Sequence, residues 1–235
     1  MAIASQPERV ADGVWRIKGG APVKLVNVFL IEDGDGVTVY DAGIRQMSKA
    51  IAAAAAAIGP LKRVILGNSH ADHRGAAPGL GAPVYCGAAE RDDAEGDGGW
   101  HYFDFRKLGL PPTGFVASRV MGSWDAGPVK IVDTLAEGDA VAGFSVIEIP
   151  GHSPGTIGLW RESDRLVLSN DCFALFDART TMAGRLRVPH EAFNYDTELA
   201  RASVRKLAAL EPATAWPGHY GPLTGDVRAQ LEAIV

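Results

Sequence analysis

The sequence predicts an α/β fold in which two sheets pack together and carry helices on their outer faces. Short strands followed by a helix recur twice along the chain. The two principal helical segments, 44–58 and 196–210, each lie between such runs of strands. The 235 residues show no internal repeat and no domain-boundary linker, so one domain spanning 1–235 is expected.

The elements follow in order. Residues 14–18 alternate, 24–32 are rich in Val, Leu and Phe, and 36–40 are short and β-branched, all signals of strands. The Asp-Gly-Asp-Gly segment at 33–36 marks a hairpin turn. Residues 44–58 read as a helix with six consecutive alanines, stopped by Gly59-Pro60. Alanine adds little apolar area, so this helix is expected to dock closely through Ile44, Met47, Ile51 and Ile58. A buried strand is expected at 63–66, a short helix from about Gly75, a strand at 84–86 and a helix at 88–93. From 95 to 128 there are ten glycines or prolines among Trp100, His101, Tyr102, Phe103, Phe105, Phe115 and Trp124. This stretch reads as an aromatic lid or binding loop. Strands resume at 129–132, 144–149, 156–160 and 165–169, followed by an irregular stretch from 173 to 194. Residues 196–210 form an amphipathic helix with Leu199, Val204, Leu207 and Leu210 toward the core. A strand at 214–216 and a helix at 226–234 close the chain.

Composition narrows the function classes. With 23 basic and 28 acidic side chains the net charge is -5, so no global basic field points to nucleic acid. The longest apolar run, 50–58, has nine residues, short of the ~20 that span a bilayer. The N-terminal residues lack the basic and apolar regions of a secretory signal. Two cysteines, Cys86 and Cys172, do not make a disulfide framework, and a cytoplasmic location is expected. The expected partner is a small-molecule substrate.

Four of the six histidines sit in tight, punctuated contexts: His70 and His73 in SHADH, His152 in PGHSPG and His219 in PGHYG. Each follows an expected strand, where a side chain is held at the mouth of a scaffold. Asp72 and Asp171 share that setting. Imidazoles and carboxylates together form a ligand set that suits Zn²⁺, then Mn²⁺ or Fe. On an extended chain, His70 and Asp72 point the same way, and a turn at His73 aims a third ligand elsewhere. His101 and His190 read as loop histidines, and Cys172 as a small buried apolar residue.

These segments resemble the metallo-β-lactamase superfamily. Its signature is His-x-His-x-Asp-His after a strand, then a lone His, a bridging Asp and a final His. The chain reads Asn68-Ser69-His70-Ala71-Asp72-His73, then His152, Asp171 and His219, and Val39-Tyr40-Asp41-Ala42-Gly43 is similar to the family's early strand element. The resemblance runs from about Val14 to Pro222 and implies a four-layer αββα sandwich. It implies a first metal site of His70, His152 and Asp171, with Asn68 where the family has an imidazole. The implied second site holds Asp72, His73, His219 and the shared Asp171. An amide oxygen is a weak ligand, so the second site is expected to be the tighter, with one or two zinc ions bound. Asn68 is alternatively a hydrogen-bonder behind the ligands, and Asp41 a carboxylate that orients them. One β-lactamase subclass also has Asn there and uses a Cys ligand. Here Asp171 is taken as the ligand rather than Cys172, because SNDC matches the family at the Asp.

The implied chemistry is hydrolysis. Zinc lowers the pKa of bound water from 15.7 to about 7, and the resulting hydroxide attacks an acyl carbonyl. Asp72 is expected to orient the water or accept its proton, with Tyr220 a candidate oxyanion donor. The aromatic, lightly charged loop favours a lactone, ester or thioester. No lysine lies between Asp171 and Lys206, so the usual β-lactam carboxylate clamp is not evident. The alternatives are a β-lactam hydrolase, an iron-dependent oxygenase resembling persulfide dioxygenases, and a degenerate, non-catalytic ligand-binding member.

Overall fold

The strands of the first half build one seven-stranded sheet in sequence order, β1 to β7. They are β1 (Glu8–Ala11), β2 (Val14–Gly19), β3 (Val26–Asp33), β4 (Gly36–Tyr40), β5 (Leu61–Leu66), β6 (Val84–Gly87) and β7 (Ile131–Leu135). The computed structural model describes residues 3–109 and 113–235, with 113–117 by backbone alone. Pairing is antiparallel from β1 to β4 and parallel from β4 to β7. Helices α1 (Ser48–Ile58), α2 (Ala71–Arg74), α3 (Arg91–Glu95) and α4 (Thr113–Gly122) lie in the connections. The second sheet has the order β15-β14-β11-β10-β9-β8. Its strands are β8 (Ala140–Val141), β9 (Phe144–Glu148), β10 (Ile157–Arg161), β11 (Leu166–Asn170), β14 (Thr214–Pro217) and β15 (Leu223–Thr224). A separate ribbon joins β12 (Ala174–Phe176) to β13 (Ala183–Arg187), and the closing helices are α5 (Thr197–Ala209) and α6 (Val227–Glu232).

The layering follows from the period-two alternation of the strands. Phe29, Ile31, Tyr40 and Ile65 of the first sheet pack against Val146, Leu159, Leu168 and Trp216 of the second. The other face of the first sheet, Val28, Leu30, Val39, Val64 and Leu66, meets Ile44, Met47, Ile51, Ala54 and Ala55. The outer face of the second sheet, Ile147, Ile149, Val167 and Ala215, meets Val204, Leu207, Ala208, Val227 and Leu231. Strands buried on both faces are apolar on both, as β3 from Val28 to Ile31 and β4 largely are. The result is the expected α/β/β/α stack.

Several expectations need correction. The short helix begins at Ala71 rather than Gly75, so Ala71 to His73 of the SHADH segment turn helically while His70, at the N-cap, stays extended. The stretch 95–128 contains α4 and two 3₁₀ turns, Trp100–Tyr102 and Phe105–Leu108. The side chain of Phe115, grouped above with the loop aromatics, lies outside the described residues. The stretch 173–194 holds the β12–β13 ribbon. Leu199 is exposed, because α5 buries Ala200, Ser203, Val204, Leu207 and Ala208, a face one position round the helix. Ser203 belongs on it because its hydroxyl donates to the Pro150 carbonyl at 2.6 Å.

Candidate metal centre

Five strand ends converge on one point. Asp41 follows β4, Asn68 to His73 follow β5, His152 follows β9, Asp171 follows β11 and His219 follows β14. Backbone at strand termini is released from the ladder, so its side chains are free to turn into a shared crevice. An isolated bridge between Val26 and His219 ties the two sheets together there. Asp41, Asn170 and Tyr220, none of them glycine, take left-handed backbone with φ of 59°, 47° and 59°. Such conformations cost free energy and persist where surrounding contacts over-determine them.

Two buried groups of ligand-type side chains result: His70 with His152 and Asp171, and Asp72 with His73 and His219. Within each group the ligand atoms lie within 4.8 Å of one another. Asp171 links the groups. Its Oδ2 lies 3.0 Å from His73 Nε2, 3.3 Å from His152 Nε2 and 3.4 Å from His219 Nε2. Asp72 Oδ2 stands 3.3 Å from His219 Nε2. Gly218 leaves room for this convergence, since a Cβ there would come 2.5 Å from Asp171 Oδ1 and 2.6 Å from His73 Cε1. Because 71–74 is helical, His70 and Asp72 do not point alike. They serve different groups.

The electrostatics match a cation-binding cluster. Burial opposes charge on His73, yet Asp171, Asp41 and Asp72 outweigh it and hold that imidazole well above its ordinary pKa. His219 is raised in the same way, against burial, by Asp171 and Asp72. Burial would raise Asp171, but His219 and His73 pull its carboxyl well below the usual range. His70 is pushed well down by burial, then by His152 and His73. His219 Nδ1 is buried without a hydrogen-bond partner. A nitrogen-and-oxygen donor set gathered away from water, with His219 Nε2 facing Asp72 and Asp171, fits a divalent metal ion.

The orienting residues were mostly invisible to spacing. Asp41 Oδ2 lies 3.1 Å from His73 Nδ1, and Asp41 Oδ1 accepts from Gly67 N at 2.8 Å, the orienting role expected of it. Asn170 donates Nδ2 to Asp41 Oδ2 at 2.9 Å. Asn194 Oδ1 sits 3.0 Å from His152 Nδ1, and the Tyr102 hydroxyl 2.7 Å from His70 Nε2. Glu90 is fully buried and accepts from Ser69 N (2.7 Å), Ser153 Oγ (2.6 Å) and Gly155 N (2.9 Å), fastening the His70 and His152 segments together. No motif flags Glu90, Asn194 or Tyr102 as a partner, because each is remote in sequence from what it holds. Asn170, inside SNDC, stands beside the candidate ligand Asp171.

Two candidates take other roles. The Asn68 side-chain Oδ1 accepts from His70 N at 2.9 Å and its Nδ2 donates to Asn170 Oδ1 at 2.7 Å, so both ends of the side chain brace the strand end. The Tyr220 hydroxyl donates to the Thr181 carbonyl at 2.7 Å, anchoring the turn of the β12–β13 ribbon, and is not free as an oxyanion donor. Cys172 is buried in the outer core as expected of a small apolar residue.

A cavity of about 310 Å³ opens over the centre. Leu25, Phe103, Met121, Trp124, Phe176 and Phe193 form much of its wall, and His70, Asp72, His152, Asp171 and His219 line it. Of the loop aromatics, Phe103 and Trp124 reach the cavity. Trp100 packs on Phe103 and Phe105 behind it. His190, read as a loop histidine, also lines it.

The architecture and the two groups define a class of α/β sandwich with paired candidate metal-ligand groups at its strand ends. The chain belongs to the metallo-β-lactamase superfamily, whose family model matches residues 21–219. It is 30% identical to the probable metallo-hydrolase YflN of Bacillus subtilis, over 96% of this chain and 93% of that protein. It is 26% identical to the probable metallo-hydrolase YqjP of the same organism, over 88% and 70% respectively. Among solved structures, the metallo-β-lactamase family protein TTHA1429 of Thermus thermophilus superposes with a TM-score of 0.69, at 24% identity, covering 96% of this chain and 79% of that one. TTHA1623, solved in a di-iron-bound form, gives 0.62 at 27% identity, covering 89% and 94%.

Proposed function

We propose that this chain is a single-domain, zinc-dependent hydrolase of acyl bonds, acting on a lactone, ester or thioester. The observation that carries the reading is the pair of ligand groups joined through Asp171 Oδ2 at the floor of an apolar cavity. His70, His152 and Asp171 would hold one ion, and Asp72, His73 and His219 with Asp171 another. The second set is complete without Asn68, so it is expected to bind more tightly. Zinc in such a site lowers the pKa of water and polarises a carbonyl. The chain supplies the rest. Phe103, Phe176 and Phe193 exclude bulk water and seat the apolar part of a substrate. Asp72 lines the cavity beside His219, where its Oδ2 can take a proton from an attacking water. No helix among the described residues is long and apolar enough to cross a membrane, and the reading places the substrate among small molecules of the cytoplasm.

Metal analysis of the purified protein, followed by a panel of lactones, thioesters, esters and β-lactams, tests this reading. Zinc with turnover of an acyl compound is the expected result. Iron with persulfide-dependent oxygen uptake would reverse it, and a protein that holds no metal and gains no activity from added zinc would point to a ligand-binding module.

The cavity mouth refines the substrate. Arg187 lines it and pairs with Asp177 at 3.2 Å, whereas the Arg179 guanidinium has no partner among the described residues. The acids lining the cavity are the ligands Asp72 and Asp171. An acyl compound with an anionic end is therefore favoured over its neutral isostere. Arg179→Gln is expected to lower kcat/KM roughly tenfold on a carboxylate-bearing ester, the size of one charged hydrogen bond, and less on the neutral ester. Equal losses on both esters would argue against the assignment.

A further inference from the structure

Away from the strand-end centre, residues 91–102 gather three further ligand-type side chains that the proposed reaction does not use. Asp93 lies on α3, and Asp97 and His101 follow at four-residue steps. Their ligand atoms all lie within 4.8 Å of one another. His101 Nδ1 stands 3.1 Å from Asp97 Oδ1 and 3.8 Å from Asp93 Oδ1. Asp97 and His101 open the group to solvent, with side chains 46% and 57% exposed.

Asp93 closes it from the inside. Its side chain is only 10% exposed, and Oδ2 is buried with no hydrogen-bond partner. A buried, unpaired carboxylate oxygen is costly and calls for a partner. The neighbouring Arg74 does not serve. Its Nη1 donates to the carbonyls of Asp93, Ala94 and Gly96, and its Nε and Nη2 pair with Asp125.

We propose that Asp93, Asp97 and His101 form a peripheral site for a divalent transition-metal ion, separate from the strand-end centre. Two carboxylates and one imidazole make a borderline donor set that suits Zn²⁺ or Mn²⁺. The ion gives the buried Asp93 carboxylate the partner it lacks. Burial pushes that carboxyl up and the like charge of Asp97 adds to it, against the pull of His101, so a cation relieves both. The segment runs on through Gly98 and Gly99, both with left-handed φ, to Tyr102, whose hydroxyl meets His70 Nε2. An occupied site would stiffen the arm that carries this contact.

The test counts ions. Wild type and the Asp97→Asn/His101→Gln double variant are equilibrated with Zn²⁺, and separately with Mn²⁺, then analysed for metal per chain. The double variant changes two solvent-facing side chains and is expected to fold and to hold one ion fewer at saturation. Equal stoichiometry would overturn the site. A second measurement follows the histidine ring resonances of nitrogen-15-labelled wild type through a Zn²⁺ titration. The His101 signals are expected to shift, and His101 signals unmoved at saturating zinc would refute the proposal by themselves.

Discussion

Asp171→Ala is expected to abolish activity and to empty both ligand groups. Its Oδ2 lies within 3.0–3.4 Å of three imidazoles, one from the first group and two from the second. Removing the carboxylate takes away the oxygen the groups share and leaves positively polarised imidazoles facing one another in a buried site. If the proposed zinc supplies several kcal/mol of transition-state stabilisation, the loss in kcat/KM is roughly 10³-fold or more. Metal analysis and turnover on the same preparation check this. A variant that retained its metal and more than about a tenth of wild-type activity would show that Asp171 is not the shared ligand.

Glu90→Ala is expected to have the largest effect on stability among residues that touch no ligand side chain. It strands three buried donors, Ser69 N, Ser153 Oγ and Gly155 N. At about 1–3 kcal/mol for each unsatisfied group, the cost is on the order of 3 kcal/mol or more. That is a large fraction of the roughly 5–15 kcal/mol that holds an ordinary domain together. Chemical denaturation compares the two proteins, and a difference below about 1 kcal/mol would contradict the clamp.

Glu90 also has a pH signature. Burial raises its carboxyl above the ordinary value of 4.5, against the hydrogen bonds from Ser153, Ser69 and Gly155. The folded chain therefore keeps this proton to higher pH than the unfolded chain does. The contribution is fully present below about pH 4.5 and declines as pH rises through the folded pKa. Glu90→Gln should remove that decline, seen as a flatter difference in Tm from wild type across the interval. Parallel curves would show that Glu90 does not titrate there.

Much of the fold was legible because it rests on local rules. The strands at 26–33 and 36–40 are largely apolar around an Asp-Gly turn, and Gly59 ends the alanine helix. Legibility failed where tertiary contacts overrode local pattern. Leu199 looked like core, but the packing face of α5 was set by Ala200 and by Ser203 bonding to Pro150. The 95–128 stretch looked irregular because its glycines, prolines and aromatics mask a helix and two 3₁₀ turns.

The chain alone determined the types and order of the ligand-type side chains, from His70 to His219, since donor chemistry belongs to individual residues and their punctuated contexts mark strand ends. Only the folded molecule decided how those residues are shared. It sorted His70 and Asp72 into different groups, placed Asp171 between them, turned Asn68 and Tyr220 to bracing roles, and recruited Glu90, Asn194 and Tyr102 from distant segments. The reason is geometric: coordination depends on directions fixed by sheet packing and helical turns, and those directions are set by contacts between residues far apart along the chain.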